Sequence, residues 1–227
     1  MEYIYHYYSP LGGITIASDG KALTGLWFDG QKYFGSSLRE TGAVNETGAA
    51  IKTGAANDTG MANDTGAVTK TGRANDTGAA RPADDCSPGY EGILSVFEQT
   101  VRWLDEYFEG RDPGFTPPLN IESDKNKAAT PFRNRVWTEL LRVPYGETVT
   151  YKELAERIAG MTTADTAGSV KVSARAVGGA VGHNPISLII PCHRVVGADG
   201  RLTGYAGGVD KKKALLEMEG AALPGVK

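Results

Sequence analysis

Asn184-Pro-Ile-Ser-Leu-Ile-Ile-Pro-Cys-His-Arg-Val-Val-Gly197 is the most informative stretch of this chain. It holds one of only two cysteines in 227 residues, placed directly after an apolar run and directly before a histidine. The run from Ile186 to Ile190 predicts a β-strand that ends at Pro191 and holds Cys192 on a rigid element. A free thiol with a pKa of about 8.5 is only a few per cent ionised at neutral pH, and a nearby histidine or arginine raises that fraction. An isolated cysteine is more often a small buried hydrophobic residue, but this setting favours a nucleophile.

The same stretch closely resembles the active-site segment of the O6-alkylguanine-DNA alkyltransferases, also called methylated-DNA–protein-cysteine methyltransferases. The likeness extends along the second half of the chain, in the order of the family, to Tyr145–Tyr151, Ala174–Ala180, Leu202–Gly208 and Leu215–Gly220. Residues 1–127 match the family only loosely, through position and strand pattern.

Composition bounds the class of protein. A chain of 227 residues with 41% hydrophobic residues is long enough for one or two domains with a real core. We expect no membrane span, because no stretch approaches the roughly 20 apolar residues that one requires. The first residues lack the pattern of a signal peptide, and two cysteines suit a reducing compartment. The expected location is therefore the cytoplasm.

Charge is distributed unevenly over a net charge of −3. Residues 1–127 hold 11 Lys and Arg against 18 Asp and Glu, whereas residues 128–227 hold 13 against 9. A basic half beside an acidic half suits a protein that places one face on phosphates. An excess of four positive charges (13 against 9) supports that interpretation only weakly.

The N-terminal residues alternate apolar and polar side chains and turn at glycines. Three strands are predicted, over residues 2–8, 13–18 and 22–28, joined as an antiparallel meander. A helix with apolar residues at helical spacing follows over residues 93–108 and ends at Gly110.

Residues 41–80 form a separate segment, in which Thr-Gly recurs with a period of six. Hexapeptide repeats build a β-helix when a large aliphatic residue fills a fixed position, but the most regular apolar position here holds only valine or alanine. Because these side chains bury too little area to offset the ordering of the chain, we predict a disordered low-complexity insertion.

The C-terminal half is predicted to be helical. Thr130-Pro131 is typical of an N-cap followed by proline at the first helical position. Thr150 and Glu153 form a capping box at the start of a second helix, and a third helix is expected near Ser173. Two consecutive short helices, the second of which carries Arg175, indicate a helix-turn-helix motif.

The resulting fold class is α+β. Residues 1–115 form an N-terminal antiparallel sheet plus helix, which the resemblance implies is a ribonuclease H-like roll. Residues 116–129 are a connector. The resemblance implies that residues 130–227 form a helical, winged-helix-like domain for DNA binding and alkyl transfer.

The resemblance implies catalytic roles for five residues. Cys192 is the alkyl acceptor, His193 is the general base acting through a bound water, and Glu219 orients that histidine. Tyr151 helps to rotate the target nucleotide and donates to the departing guanine, and Asn184 ties the active-site turn to the recognition helix. Without the resemblance, Glu219 would be read as an exposed acid at a helix end and Asn184 as part of an Asn-Pro turn.

The resemblance also implies the DNA contacts and the walls of the substrate pocket. Arg175 corresponds to an arginine that replaces the extruded nucleotide in the base stack, reached from the minor groove. The small Ala174 and Gly178 suit close approach of this helix to the DNA backbone, and they suit close packing between helices equally well. Tyr205 corresponds to an aromatic wall of the guanine pocket, with Ala206 and Val195 beside it. Arg175 is otherwise a surface cation, and Tyr151 a tyrosine packed at a helix N-terminus.

The expected function is repair of O6-alkylguanine in double-stranded DNA by one irreversible transfer per molecule, with O4-alkylthymine left open as a further substrate. We expect a monomer that uses no cofactor. No metal site is expected either, because only three histidines are present and no cluster has zinc-ligand spacing. Two alternatives are a cysteine hydrolase that turns over many times and a DNA-binding regulator with an inert thiol.

Overall fold

The structure, a computed structural model, describes residues 2–36, 38, 41–44, 50–52, 90–121, 129–160 and 171–222. Cys86, the remaining hexapeptide repeats and most of the 160–172 loop lie outside the described residues. The predicted disorder of those repeats is therefore a prediction still.

The N-terminal meander is confirmed. Strands β1 (Glu2–Ser9), β2 (Gly12–Ser18) and β3 (Leu23–Phe28) pair antiparallel in sequence order. In the second turn, the Asp19 carboxylate accepts hydrogen bonds from the amides of Lys21 and Ala22, which is the usual way that aspartate closes a turn. Strand β3 is buried along its whole length, so both of its faces are covered by other parts of the protein.

Two further strands lie in the segment for which the sequence predicts disorder. Strand β4 (Thr41–Val44) pairs parallel with β1, and β5 (Ala50–Lys52) pairs antiparallel with β4, which gives the sheet order β3-β2-β1-β4-β5. At these seven residues the prediction of an unstructured insertion differs from the structure. The physical reason is that the open edge of β1 offers backbone hydrogen bonds, which need no large apolar side chain.

One long helix, α1 (Tyr90–Phe108), covers the first two strands of the sheet. Its buried side chains include Phe97, Leu104 and Tyr107. The helix is followed by Gly110 at φ +77°, the left-handed conformation that commonly follows a helix C-terminus. Beyond it, Leu119 makes a single β-bridge to Leu23 of β3.

The C-terminal half contains α2 (Pro131–Leu140), α3 (Tyr151–Gly160), α4 (Ala174–Gly182) and α5 (Val209–Met218). The predicted start signals are confirmed: Thr130 accepts from the Arg133 amide, Thr150 and Glu153 form the reciprocal capping box, and Ser173 caps α4. Helices α2, α3 and α4 pack against one another.

The prediction of a strand over residues 186–190 is wrong. Only Ile186 pairs, in a single bridge to Leu26 of β3, and the chain then turns through Leu188 at φ +69°. A continuous apolar run is equally compatible with a buried turn, which is what forms here. After the turn, Cys192–Arg194 form a short 3₁₀ turn, and β7 (Val195–Val196) pairs parallel with β6 (Val149–Thr150).

Buried side chains from the N-terminal and C-terminal halves form one hydrophobic core. Leu26 of the sheet contributes to it, and so do Leu140 of α2 and Cys192. The turn that carries the cysteine is therefore fixed between the sheet and the C-terminal helices.

Among the residues that the structure describes, no helix is long and apolar enough to cross a membrane.

Candidate active site

The thiol of Cys192 lies in the core, with only 4% of the residue exposed. Its amide donates to the Ile190 carbonyl at 2.7 Å, which closes the 186–190 turn onto the cysteine. Burial raises the pKa of this thiol, and a hydrogen bond from Asn184 and the charge of Lys212 oppose that rise. Cys192 is consequently a thiol at neutral pH, and nucleophilic attack requires a base to remove its proton.

Asn184 connects α4 to the active-site turn. Its side-chain oxygen accepts from the Ile186 amide at 3.0 Å. Its side-chain nitrogen donates to the Ile190 carbonyl at 2.8 Å and to Cys192 Sγ at 3.0 Å. One amide group thus holds both ends of the turn and places a donor on the sulfur, where it stabilises a thiolate.

His193 and Glu219 form a buried pair beside the cysteine. His193 Nε2 lies 2.7 Å from Glu219 Oε1, and both side chains are fully buried. Burial lowers the pKa of His193 below its ordinary range, in spite of the neighbouring carboxylate. The imidazole is therefore neutral at physiological pH, the state that can accept a proton. With Nε2–H donated to Glu219, Nδ1 is the accepting nitrogen, and it has no hydrogen-bond partner among the described residues.

Glu219 stays ionised because several donors surround it. Arg194 donates from Nε to Oε2 at 2.8 Å and from a terminal nitrogen to Oε1 at 3.1 Å, and the Gly146 amide lies 3.2 Å from Oε2. Burial acts to raise the pKa of Glu219, but the hydrogen bonds from His193 and Arg194 outweigh it and lower the pKa to about 2. The carboxylate can therefore fix the orientation of the imidazole.

Two tyrosines lie close enough to the thiol to interact with its charge, Tyr151 and Tyr205. The Tyr151 hydroxyl is 2.9 Å from Thr203 Oγ1, and its ring passes α4 at Gly178, where an added Cβ would lie 3.6 Å from it. The Tyr205 ring meets His193 edge-on at a centroid distance of 6.4 Å. Burial raises the pKa of both phenols, and negative charge on Cys192 raises it further. Both hydroxyls are therefore protonated at neutral pH and close enough to respond to a thiolate.

The two small residues assigned to the pocket occupy different places. Val195 is fully buried in β7, and its carbonyl accepts from Lys212 Nζ. Ala206 is partly exposed, and its carbonyl accepts from the Lys32 amide at 3.0 Å. The loop that carries Tyr205 and Ala206 is thereby attached to the turn after β3.

The residues expected to touch DNA lie apart from this buried group. Ala174 and Arg175 are exposed in the first turn of α4, and Gly178 is one turn further along. The exposed Arg175 and the buried thiol are linked through α4, because Asn184 follows the end of that helix and donates a hydrogen bond to Cys192 Sγ.

Three residues of the site escaped the sequence reasoning. Tyr107 of α1 donates to Glu219 Oε1 at 2.7 Å, Arg194 anchors Glu219, and Lys212 is a fully buried lysine with its pKa lowered by burial to about 8. Arg194 follows His193 directly in the sequence, but its position does not indicate that it pairs with Glu219. Tyr107 and Lys212 carry no local signal, because each looks like an ordinary member of an amphipathic helix. Among the described residues, no group of three His, Cys, Asp or Glu side chains is placed to hold a metal ion.

A buried cysteine beside a histidine–carboxylate pair is the arrangement of a protein that uses a thiol nucleophile. Comparisons with known proteins specify the class further. Residues 131–221 match the family model of the 6-O-methylguanine DNA methyltransferase, DNA binding domain. The methylated-DNA–protein-cysteine methyltransferase of Mycobacterium tuberculosis is 44% identical over 129 residues, which cover 57% of this chain and 68% of the relative. The protein of that name from Saccharolobus islandicus is 41% identical over 140 residues, covering 62% and 80%.

Solved structures agree over nearly the whole chain. The structure of the M. tuberculosis OGT in complex with DNA superimposes with a TM-score of 0.60 at 33% identity, covering 96% of this chain and 92% of that one. The M. tuberculosis O6-methylguanine methyltransferase gives a TM-score of 0.58 at 31% identity. The chain belongs to the methylated-DNA–protein-cysteine methyltransferase family.

Proposed function

We propose that this protein repairs O6-alkylguanine in double-stranded DNA by transferring the alkyl group to Cys192. Membership of the family supports the class of reaction, and one geometric observation supports the acceptor. Cys192 is the cysteine that lies beside a neutral histidine, with an amide donor on its sulfur. The new S–C bond forms as the C–O6 bond of the substrate breaks, and the electron pair of that bond stays on guanine.

The thiol proton leaves toward His193. Nδ1 of His193 is the nitrogen with a lone pair, because Nε2 faces Glu219. We place one water between Nδ1 and the sulfur, as the resemblance implies. The imidazolium that forms is stabilised by the ionised Glu219, which Arg194 keeps charged. Asn184 stabilises the thiolate directly.

The departing guanine needs a hydrogen-bond donor where charge develops. The Tyr151 hydroxyl supplies it, because its raised pKa keeps the proton on the phenol and the phenol lies near enough to Cys192 to interact with its charge. Tyr205 forms a wall of the guanine pocket beside His193. Since a thioether cannot return the alkyl group, each molecule acts once.

DNA binding by α3 and α4 accounts for how the substrate reaches a buried thiol. An O6-alkyl group lies inside the duplex, so the nucleotide must be extruded at a cost of a few kcal/mol. Arg175, exposed at the start of α4, is the residue we place in the vacated stack, from the minor groove. We also propose that α3 and α4 form a helix-turn-helix within a winged-helix-like domain and that the N-terminal sheet and helix form a ribonuclease H-like roll. The protein is proposed to be a monomer in the cytoplasm, where the thiol stays reduced.

The stoichiometry of transfer tests the proposal against a cysteine hydrolase. A duplex with a radiolabelled O6-methylguanine in excess is incubated with the protein, and the label retained on protein is counted. The proposal predicts that label reaches one equivalent per molecule and then stops. Repaired DNA in excess over protein, with no retained label, would identify a hydrolase instead.

The DNA-binding alternative is tested in the same experiment. Cys192→Ala is expected to retain no label while it binds the duplex as the unaltered protein does. A regulator with an inert thiol would give no label with either protein.

A further inference from the structure

One side chain from the N-terminal half, that of Tyr107, contacts the His193–Glu219 pair. Tyr107 lies in the last turn of α1, and its hydroxyl donates to Glu219 Oε1 at 2.7 Å. The same hydroxyl is 3.3 Å from His193 Nε2. Oε1 therefore receives Tyr107 and His193 together, with a longer contact from Arg194 at 3.1 Å.

The ring of Tyr107 is held so that its hydroxyl cannot turn away. It is fully buried, and it stacks on Trp103 at a centroid distance of 5.0 Å with an interplanar angle of 9°. Tyr145 and Phe108 meet it edge-on, at 6.0 and 5.5 Å. The Trp103 indole is itself fixed by a hydrogen bond to the Phe115 carbonyl. A buried tyrosine hydroxyl usually finds some partner, but this one shares the carboxylate oxygen that orients the histidine.

We propose that Tyr107 is a positioning residue for alkyl transfer, which holds Glu219 Oε1 in place and sets how strongly that carboxylate acts on His193. The inference rests on the proposed function and adds to it a residue from the N-terminal half. The first half of the chain then completes the active site as well as supporting it.

The direction of the effect follows from sharing one acceptor. Each hydrogen bond donated to Oε1 weakens the electrostatic interaction by which the carboxylate would stabilise a protonated His193. Removing the Tyr107 hydroxyl leaves that charge to His193 and raises the pKa of the imidazole. Tyr107 remains a donor throughout, because burial, followed by the charge of Glu219, raises its own pKa well above the ordinary value. The other ionisable groups facing the pair keep their places: Arg194 and Cys192 on the active-site turn, Lys212 on α5, Tyr205 in the pocket loop and Tyr145 after α2.

The experiment compares Tyr107→Phe with Tyr7→Phe in the full chain. Tyr7 is the matched control, because its hydroxyl also donates to a carboxylate at 2.8 Å, but to that of Asp105 instead of Glu219. Two quantities are measured: the pKa of each histidine ring by carbon-13 NMR, and the rate of alkyl transfer against pH. The three histidines of the chain make the assignment simple, and His6 and His183 serve as internal references.

Tyr107→Phe is expected to raise the pKa of His193, and with it the acid limb of the rate profile, by up to about one unit. Tyr7→Phe should leave both unchanged. An unshifted His193 and an unshifted acid limb in folded Tyr107→Phe would overturn the inference. An unaltered protein that transfers no alkyl group would instead overturn the proposed function.

A measurement on the unaltered protein covers the case in which Tyr107→Phe does not fold. A slowly exchanging Tyr107 hydroxyl proton should show a nuclear Overhauser contact with the His193 ring. A rapidly exchanging proton without that contact would also overturn the inference.

Discussion

Replacement of Arg194 by methionine tests the electrostatic centre of the site. The guanidinium makes two hydrogen bonds to Glu219, donates a third to the Val143 carbonyl at 2.7 Å, and lies 5.7 Å from the centre of the Tyr145 ring. Methionine fills similar space without charge, so Arg194→Met leaves a buried carboxylate without its cation. Breaking a buried pair in this way costs about 3–5 kcal/mol, because the remaining charge is uncompensated.

The expected loss converts into a large change in melting temperature. For chains of this length each kcal/mol shifts the midpoint by about 2–4 °C, so Arg194→Met should melt about 6–20 °C lower. The double variant Arg194→Met/Glu219→Gln removes both charges and should recover about 1 kcal/mol or more relative to the single variant.

Urea unfolding followed by circular dichroism measures both variants. Arg201→Met is the matched control, because that arginine pairs with Asp199 at 2.7 Å while the two side chains are 84% and 55% exposed, and exposed pairs contribute about 0–1 kcal/mol. A loss below about 1 kcal/mol in Arg194→Met, or a double variant no more stable than the single one, would refute the reasoning.

Two further predictions concern DNA and acid. Arg175→Ala should slow repair of duplex DNA far more than reaction with free O6-benzylguanine, if that base is accepted, because only the duplex requires extrusion of a nucleotide. Arg102→Ala, at an exposed arginine on α1, is the control. Equal slowing of Arg175→Ala on both substrates, or the same effect from Arg102→Ala, would contradict the role of Arg175. The free energy of unfolding should fall as pH falls below neutral. In the folded protein the pKa of His193 lies below the ordinary 6.5, and the pKa of Glu219 is lowered from 4.5 to about 2. Each group therefore stabilises the folded state at a pH above its ordinary pKa. That contribution is lost as the pH falls from the ordinary pKa toward the pKa of the group in the folded state. Urea unfolding at stepped pH checks this, and a flat profile between about pH 7 and pH 3 would contradict it.

Local signals predicted most of the secondary structure. The caps at Thr130 and Ser173 and the capping box at Thr150 are readable because each depends on residues three positions apart. The meander is readable because alternation and turn residues are equally local. The run at 186–190 misled because an apolar run does not distinguish a strand from a buried turn, and Leu188 at positive φ has no sequence signature.

Some residues of the candidate site could be predicted from the sequence, and others could not. The setting of Cys192 in the sequence predicts a nucleophile, and the resemblance implies the roles of His193, Glu219 and Asn184. The structure brings these four residues together. The contact between Tyr107 and Glu219 joins residues 112 positions apart, which no local pattern can predict. Nor does sequence specify which cation accompanies a buried carboxylate.

The central claim is that Cys192 is the alkyl acceptor. Intact-protein mass spectrometry after exposure to a duplex containing O6-methylguanine tests it most directly, with peptide mapping of the product. The account predicts that each molecule becomes heavier by one CH₂ unit, located on the peptide that contains Cys192, and that Cys192→Ala gains none. A gain located on Cys86, the other cysteine of the chain, or an unchanged mass with repaired DNA, would contradict it.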